Sequence, residues 1–327
     1  MKTITIFFGF FLVDVFVFLE VEANYHDAVG IPAAKKIKDL EEAMQADGTI
    51  NIESRIIGGE RAPHPYPFFA GLIISLIGKP TMDSFCGSSL LSSNRVVTAA
   101  HCYFDGVDRA SKFEVVLGSN LLYQGGDRHV TRHIQVHPYY DPKFFTNDVA
   151  ILYLPQNVRF TNPHLRWLEI ATRSPTTPGV SLASAGALRD LVHPIRLPTN
   201  YEQTNTFAGY MAVAVGFGNT TSKQPLAATV LSHVELQVID NAQCAASYNI
   251  NFVTPNTICT SGIGIAGSVG VCNGDSGGPL FIYDSNRHPV LIGITSFGRI
   301  DLPCESGAPA GYSRVTSFMN FIKQHLY

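Results

Sequence analysis

Residues 271–280, VCNGDSGGPL, set an aspartate and a serine side by side in a glycine-crowded turn between apolar flanks. Glycines let a backbone bend sharply and bring its N–H groups close to whatever occupies the bend, while a hydroxyl is an idle nucleophile until a base withdraws its proton. The stretch therefore calls for a histidine elsewhere in the chain. Of the 11 histidines, His101 in VVTAAHC is placed for that work, since it follows an apolar run and adjoins Cys102, which a disulfide would pin. Taken alone, a histidine in such a place reads equally well as a structural residue. Asp148 in TNDVAILYL stands directly before another apolar run. A buried carboxylate without partners is costly, so this one needs hydrogen-bond donors, and an imidazole N–H would be one.

The elements that must position these groups are short. Runs of β-branched and aromatic residues, such as FFAGLIISLI, RVVTAAH, FEVVLG, MAVAVGFG, VLSHVELQVI and VLIGITSFG, alternate with Gly, Pro, Asn and Asp. Many short strands with turn signals predict an all-β sandwich or barrel. At the end of the chain Val315, Phe318, Met319 and Ile322 recur at helical spacing, which predicts one terminal helix. With 327 residues, 46% hydrophobic and 15% charged, the chain can bury a large core and lacks the composition of a disordered protein. A net charge of −3 gives no basic field to gather phosphates, so neither nucleic acid nor an acidic membrane surface is expected as a partner.

Residues 1–23 place a lysine before an apolar run interrupted by Asp14 and end in Val21 and Ala23, the pattern of a secretory signal cut near Ala23. Export implies an oxidising compartment, and the six cysteines then suggest three disulfides, for which sequence alone allows about 15 connectivities. Neither CxxC pairs nor grouped histidines accompany them, so no metal and no cofactor is expected. Residues 24–55 differ from the chain beyond them: KKIKDLEEAMQADG is charged, helix-favouring and free of cysteine, and reads as a detachable piece.

Taken together, TAAHC around His101, NDVAIL around Asp148 and GDSGGP around Ser276, in that chain order and with this cysteine framework, resemble the trypsin and chymotrypsin family of serine endopeptidases. The resemblance covers the chain from about residue 55 onward and is most like that to secreted insect chymotrypsin-like enzymes. It implies two antiparallel β-barrels with the active site in the cleft between them and a C-terminal α-helix. It implies that His101 takes the Ser276 proton during attack on a peptide carbonyl, that Asp148 orients the histidine with help from Ser296, and that the N–H groups of Gly274 and Ser276 hold the oxyanion. It also implies cleavage after Arg55 in ESRIIGGE, freeing an ammonium on Ile56 that pairs with Asp275. The chain then divides into a signal (1–23), a propeptide (24–55) and a protease domain (56–327). The implied disulfides are Cys86 with Cys102, Cys244 with Cys259 and Cys272 with Cys304. None of these leaves a cysteine to tether the propeptide, which is expected to dissociate after cleavage. An untethered leader favours a simple digestive or effector enzyme, monomeric, acting on protein or peptide substrates, activated by a trypsin-like protease and open to proteinaceous inhibitors.

Substrate preference in this family follows the residue six positions before the nucleophile, here Gly270, with Ser296, Phe297 and Gly298 at the rim and Ala310 on the far wall. No carboxylate waits at Gly270 for a cation, so bulky apolar side chains are expected, an elastase-like preference being the alternative; Asp301 and Glu305 keep a basic preference in view. Phe217 and Phe297 stand where relatives usually carry tryptophan, and Ser119 in LGSN supplies no carboxylate for the calcium loop of some relatives. Residues 163–190, which include the only tryptophan, Trp167, interrupt an otherwise family-like crossing. They read first as a disordered surface excursion, then as a mis-joined coding segment or an exosite. Asn219 in NTT is a glycosylation sequon.

Overall fold

A computed structural model describes residues 24–47, 59–62, 65–160, 192–218, 230–248, 252–265, 267–299 and 301–326. Two antiparallel sheets carry the core. The first is built from β2 (Phe69–Leu76), β3 (Lys79–Ser92), β4 (Arg95–Thr98), β5 (Ala110–Leu117), β6 (Asp127–Thr131), β7 (Ile134–Val136) and β8 (Ala150–Tyr153), in the order β6-β5-β2-β3-β4-β8-β7. It forms a half-barrel.

The second comprises β9 (Met211–Gly216), β10 (Ser232–Ile239), β11 (Thr257–Thr260), β14 (Pro279–Tyr283), β15 (Pro289–Phe297) and β16 (Ala310–Arg314). Because β9 pairs with both β14 and β10, these six strands close into a barrel, and β1 (Glu60–Arg61) adds to β10 from outside. A two-residue ribbon, β12 (Ile263–Gly264) with β13 (Gly267–Ser268), stands apart. The expected all-β architecture with two curled sheets is what the chain adopts.

The strand β2, FAGLIISL, is buried at nearly every position, so it lacks the alternation of a half-solvated strand. Its neighbours explain this. One cluster joins it to Phe85, to the aromatic seam between the sheets (Tyr66, Phe68, Phe69, Phe217 and Phe281) and to leader residues Tyr25, Ala34 and Ile37. Phe217 therefore fills the inter-sheet core, edge-on to Phe85 at 5.7 Å, rather than lining a pocket.

The leader is folded in the intact chain. A short π-helical turn (His26–Gly30) runs without a break into α1 (Ile31–Asp47), with Pro32 at the junction between them. Ala33, Ala34, Ile37 and Glu41 form its buried stripe. The segment read from sequence as detachable is thus packed against β3 and the loop before β6. The chain ends in α3 (Met319–Leu326) after a 3-10 turn, Val315–Phe318, while α2 (Asn241–Ala245) is a single turn. Val315, Phe318, Met319 and Ile322 are all buried, as their spacing predicts. Among the described residues no helix is long and apolar enough to cross a membrane.

Candidate active site

His101 sits in the 3-10 turn Ala100–Cys102, directly after β4 and the extended Ala99. The Cys86–Cys102 disulfide ties that turn to β3. Asp148 comes to it at the start of β8, from a turn that passes through two residues in the left-handed region, Phe145 (φ 52°) and Asn147 (φ 54°). Asn147 is held there by its amide, which donates to Tyr139 O at 2.8 Å and accepts from Asn256 at 3.0 Å. Such a conformation is costly for phenylalanine, whose ring lies edge-on to His101 at 5.4 Å.

The fully buried Asp148 carboxylate is saturated with donors. Its Oδ1 accepts the backbone N–H of His101 at 2.9 Å, and its Oδ2 accepts the His101 Nδ1 proton at 2.7 Å and the Ser296 hydroxyl at 2.6 Å. A carboxylate can only accept here, so the imidazole proton resides on Nδ1 and Nε2 is left as the basic lone pair. Ser313 fixes the backbone of the same residue by donating to Asp148 O at 2.7 Å. Among the described residues Nε2 has no hydrogen-bond partner.

Ser276 is presented by a tight turn before β14. Asp275 N–H donates to Cys272 O at 3.1 Å, Gly278 N–H to Asp275 O at 3.0 Å, and Gly87 N–H to Ser276 O at 2.7 Å, so the backbone of Ser276 is fastened to both sheets. Gly274, at φ 103°, adopts a conformation closed to L side chains. The N–H groups of Gly274 and Ser276 donate to no acceptor among the described residues. Tyr25 of the leader lines the same cleft as Ser276.

Asp275 is 1% exposed and has no cation within the described residues. Its oxygens accept only two backbone N–H groups, Gly218 at 2.8 Å and Cys272 at 2.9 Å. Burial pushes its carboxyl up to about 6, and the two N–H groups recover only part of the lost hydration. Gly218 was not singled out from the sequence, although a glycine directly after a strand is the available signal. Phe145 was also missed, and nothing in FFTND marks it out.

A cleft of about 1000 Å³ opens beside Ser276 and brings together Gly270, Ser296, Phe297, Gly298 and Ala310. A Cβ added at Gly270 or Gly298 would meet no atom within 4 Å, so the floor and entrance are open. Phe297 is flanked edge-on by Tyr248 at 5.2 Å and Phe252 at 5.8 Å. Asp301 is bound to Arg299 through two contacts of 2.7 and 2.5 Å. The Cys272–Cys304 disulfide braces one wall, and Cys244 pairs with Cys259, so all three bridges follow the implied connectivity. The only grouping of potential metal ligands among the described residues, Cys86, His101 and Cys102, has both sulfurs in a disulfide and offers no thiolate. Arg55, Ile56, Asn219 and residues 163–190 lie outside the described residues.

The curled β-sheet pair with this Ser, His and Asp arrangement defines the trypsin family of serine endopeptidases, and the chain belongs to it. The Trypsin family profile matches residues 56–187 and 179–322. A collagenase of Hypoderma lineatum is 33% identical over 274 residues, spanning 84% of this chain and 88% of that protein. Brachyurin of Leptuca pugilator is 32% identical over 272 residues, spanning 82% and 97%. A solved collagenase structure superposes with a TM-score of 0.65 at 32% identity, covering 83% of this chain and 98% of that one.

Proposed function

We propose that this chain is the secreted zymogen of an endopeptidase, exported by residues 1–23, matured by a trypsin-like cut after Arg55, and selective for bulky apolar residues on the acyl side of the cleaved bond. In the matured form His101 Nε2 removes the Ser276 proton as the hydroxyl attacks the peptide carbonyl. Asp148 holds the histidine tautomer and stabilises the imidazolium. The N–H groups of Gly274 and Ser276 receive the oxyanion, and His101 returns the proton to the departing amine, leaving an acyl-enzyme for water to hydrolyse.

The observation that carries the zymogen reading is the buried Asp275 next to Gly274 and Ser276, which meets no cation among the described residues. An ammonium released at Ile56 would supply the missing charge and order the oxyanion turn. An unpaired buried carboxylate is strongly unfavourable, so the switch has a driving force. The apolar preference is supported by the open Gly270 floor and the aromatic flank of Phe297, while Asp301, already committed to Arg299, is a poor receptor for a basic substrate. The test compares the full chain with a form beginning at Ile56. The shorter form is expected to take up a serine-directed phosphonate at Ser276 and to cleave after Phe, Tyr or Leu, with the full chain nearly inert. Equal turnover by the two forms would sink the zymogen reading, cleavage chiefly after Ala would make the enzyme elastase-like, and no labelling would make the protein a binder.

A further inference from the structure

The leader does more in this structure than precede a cleavage site. Tyr25, buried at the head of the π-helical turn, donates its hydroxyl proton to Phe85 O at 2.7 Å and shares the lining of the cleft with Ser276. Its ring lies edge-on against His101 at 4.7 Å between centroids. Asn24, Ala28 and Val29 complete the obstruction by lining the substrate cleft itself. The phenol ring thereby stands against the imidazole that should receive the nucleophile's proton.

The docking is specific along the whole leader. His26 donates its backbone N–H to the buried Asp105 at 2.8 Å, and its Nδ1 meets Ser84 Oγ at 2.8 Å. Lys79 bridges Asp27 and Asp108 at 2.5 and 2.6 Å. A Cβ at Gly30 would stand 2.0 Å from Ser84 Oγ, so the helix approaches β3 as closely as its backbone allows. At the far end the buried Glu41 carboxylate accepts the N–H groups of Leu122 and Tyr123 at 2.6 and 2.9 Å, and Gln124 donates to Glu41 O at 2.9 Å. The segment is also unsuited to be cut. Its backbone is helical from Tyr25 (φ −59°, ψ −45°), so it offers Ser276 no extended strand.

We infer that residues 24–47 are a protease inhibitor in their own right, a helical peptide that docks across the cleft of the folded domain with Tyr25 as its plug and continues to inhibit after the chain is cut at Arg55. None of these contacts involves the cleavage site, and no covalent link is needed to keep them. The leader stays on the enzyme rather than leaving on cleavage, and activity appears on dilution or destruction of the leader. The inference rests on the maturation site proposed above, and the experiment separates the two.

The full chain, its Tyr25→Ala and Gly30→Val variants, and Lys35→Ala as a control on the exposed face are cut with immobilised trypsin, which is then removed. Phosphonate uptake at Ser276 and hydrolysis of a chromogenic Phe peptide are followed against protein concentration. The cut wild-type chain and Lys35→Ala should react about thirtyfold or more slowly than the cut Tyr25→Ala chain at micromolar concentration, the cost of truncating a buried aromatic anchor. Dilution should restore them, and a synthetic peptide of residues 24–47 should suppress them again. Immediate, concentration-independent activity in all four cut chains would overturn the inference while leaving the function intact. If no cut chain takes up phosphonate, the proposed function fails, and gel filtration decides this inference alone. Co-elution of the cut leader with the domain, lost in Gly30→Val, upholds it, and a free wild-type leader overturns it.

Discussion

The carboxylate of Asp275 gives the most direct physical test of the proposed latency of the intact chain. Burial raises its pKa from 3.8 to about 6, with only the N–H groups of Gly218 and Cys272 as partners among the described residues. A folded-state value above the unfolded one means that the protonated form is the favoured one in the native protein. Its contribution to stability is complete below about pH 4 and is lost as pH rises to about 6, a loss of about 3 kcal/mol at about 1.4 kcal/mol per unit. For a domain of this size that is roughly 6 °C in the unfolding midpoint, at roughly 2 °C per kcal/mol. The perturbation is Asp275→Asn in a chain kept intact by Arg55→Gln, with the unmutated Asp275 chain as reference. Thermal unfolding is recorded at pH 4, 5, 6 and 7. Asparagine does not titrate, and Glu41 and the histidines titrate alike in both chains, so the difference between the two midpoints isolates Asp275. That difference should move by roughly 6 °C against the aspartate chain between pH 4 and 7. In the form cut after Arg55 the trend should reverse, because the Ile56 ammonium favours the ionised carboxylate. Parallel midpoints across the whole range in the intact chain would refute the argument that an uncompensated buried charge is held in reserve.

Two further outcomes are expected at the site. Ser296→Ala removes the 2.6 Å bond to Asp148 inside the fully buried network. Hydrogen bonds to charged groups contribute about 1.5–3 kcal/mol, so kcat of the matured enzyme should fall by roughly 10- to 100-fold with KM little changed, read from steady-state kinetics on a Phe substrate. Gly270→Asp puts a carboxylate at the open floor of the cleft, and the ratio of kcat/KM for Arg over Phe substrates should rise by about tenfold or more. A ratio left unchanged would mean that substrate side chains do not reach that floor.

The pairing of His101 with Asp148 and the turn that carries Ser276 were legible because each residue lies in a local pattern tied to its neighbours: a disulfide beside His101, a strand shortly after Asp148, glycines around Ser276. The three bridges and the terminal helix were equally plain. The length of β3 was not. Its first half, KPTMDS, carries Pro80 and Asp83 and is mostly exposed, and it becomes strand because β2 provides a long partner across a bulge. The closure of the second sheet depends on β9 pairing with both β10 and β14, a long-range choice that no local run encodes. The role of Tyr25 was invisible for a related reason. Its partners Phe85 and His101 lie far along the chain, and the docking stripe of Ala33, Ala34 and Ile37 is too small-sided to announce a buried face.

Phe297 rests so closely on β16 that a methyl group at Gly311 would stand 2.2 Å from its ring. The cleft wall and the bare backbone behind it are consequently one unit. A larger residue at 311 could enter only after the ring at 297 had been cut back, and shrinking that ring by itself would leave a void over β16. Any widening or reshaping of this cleft wall must therefore travel through paired changes at 297 and 311, which narrows the mutational routes by which its shape could diverge.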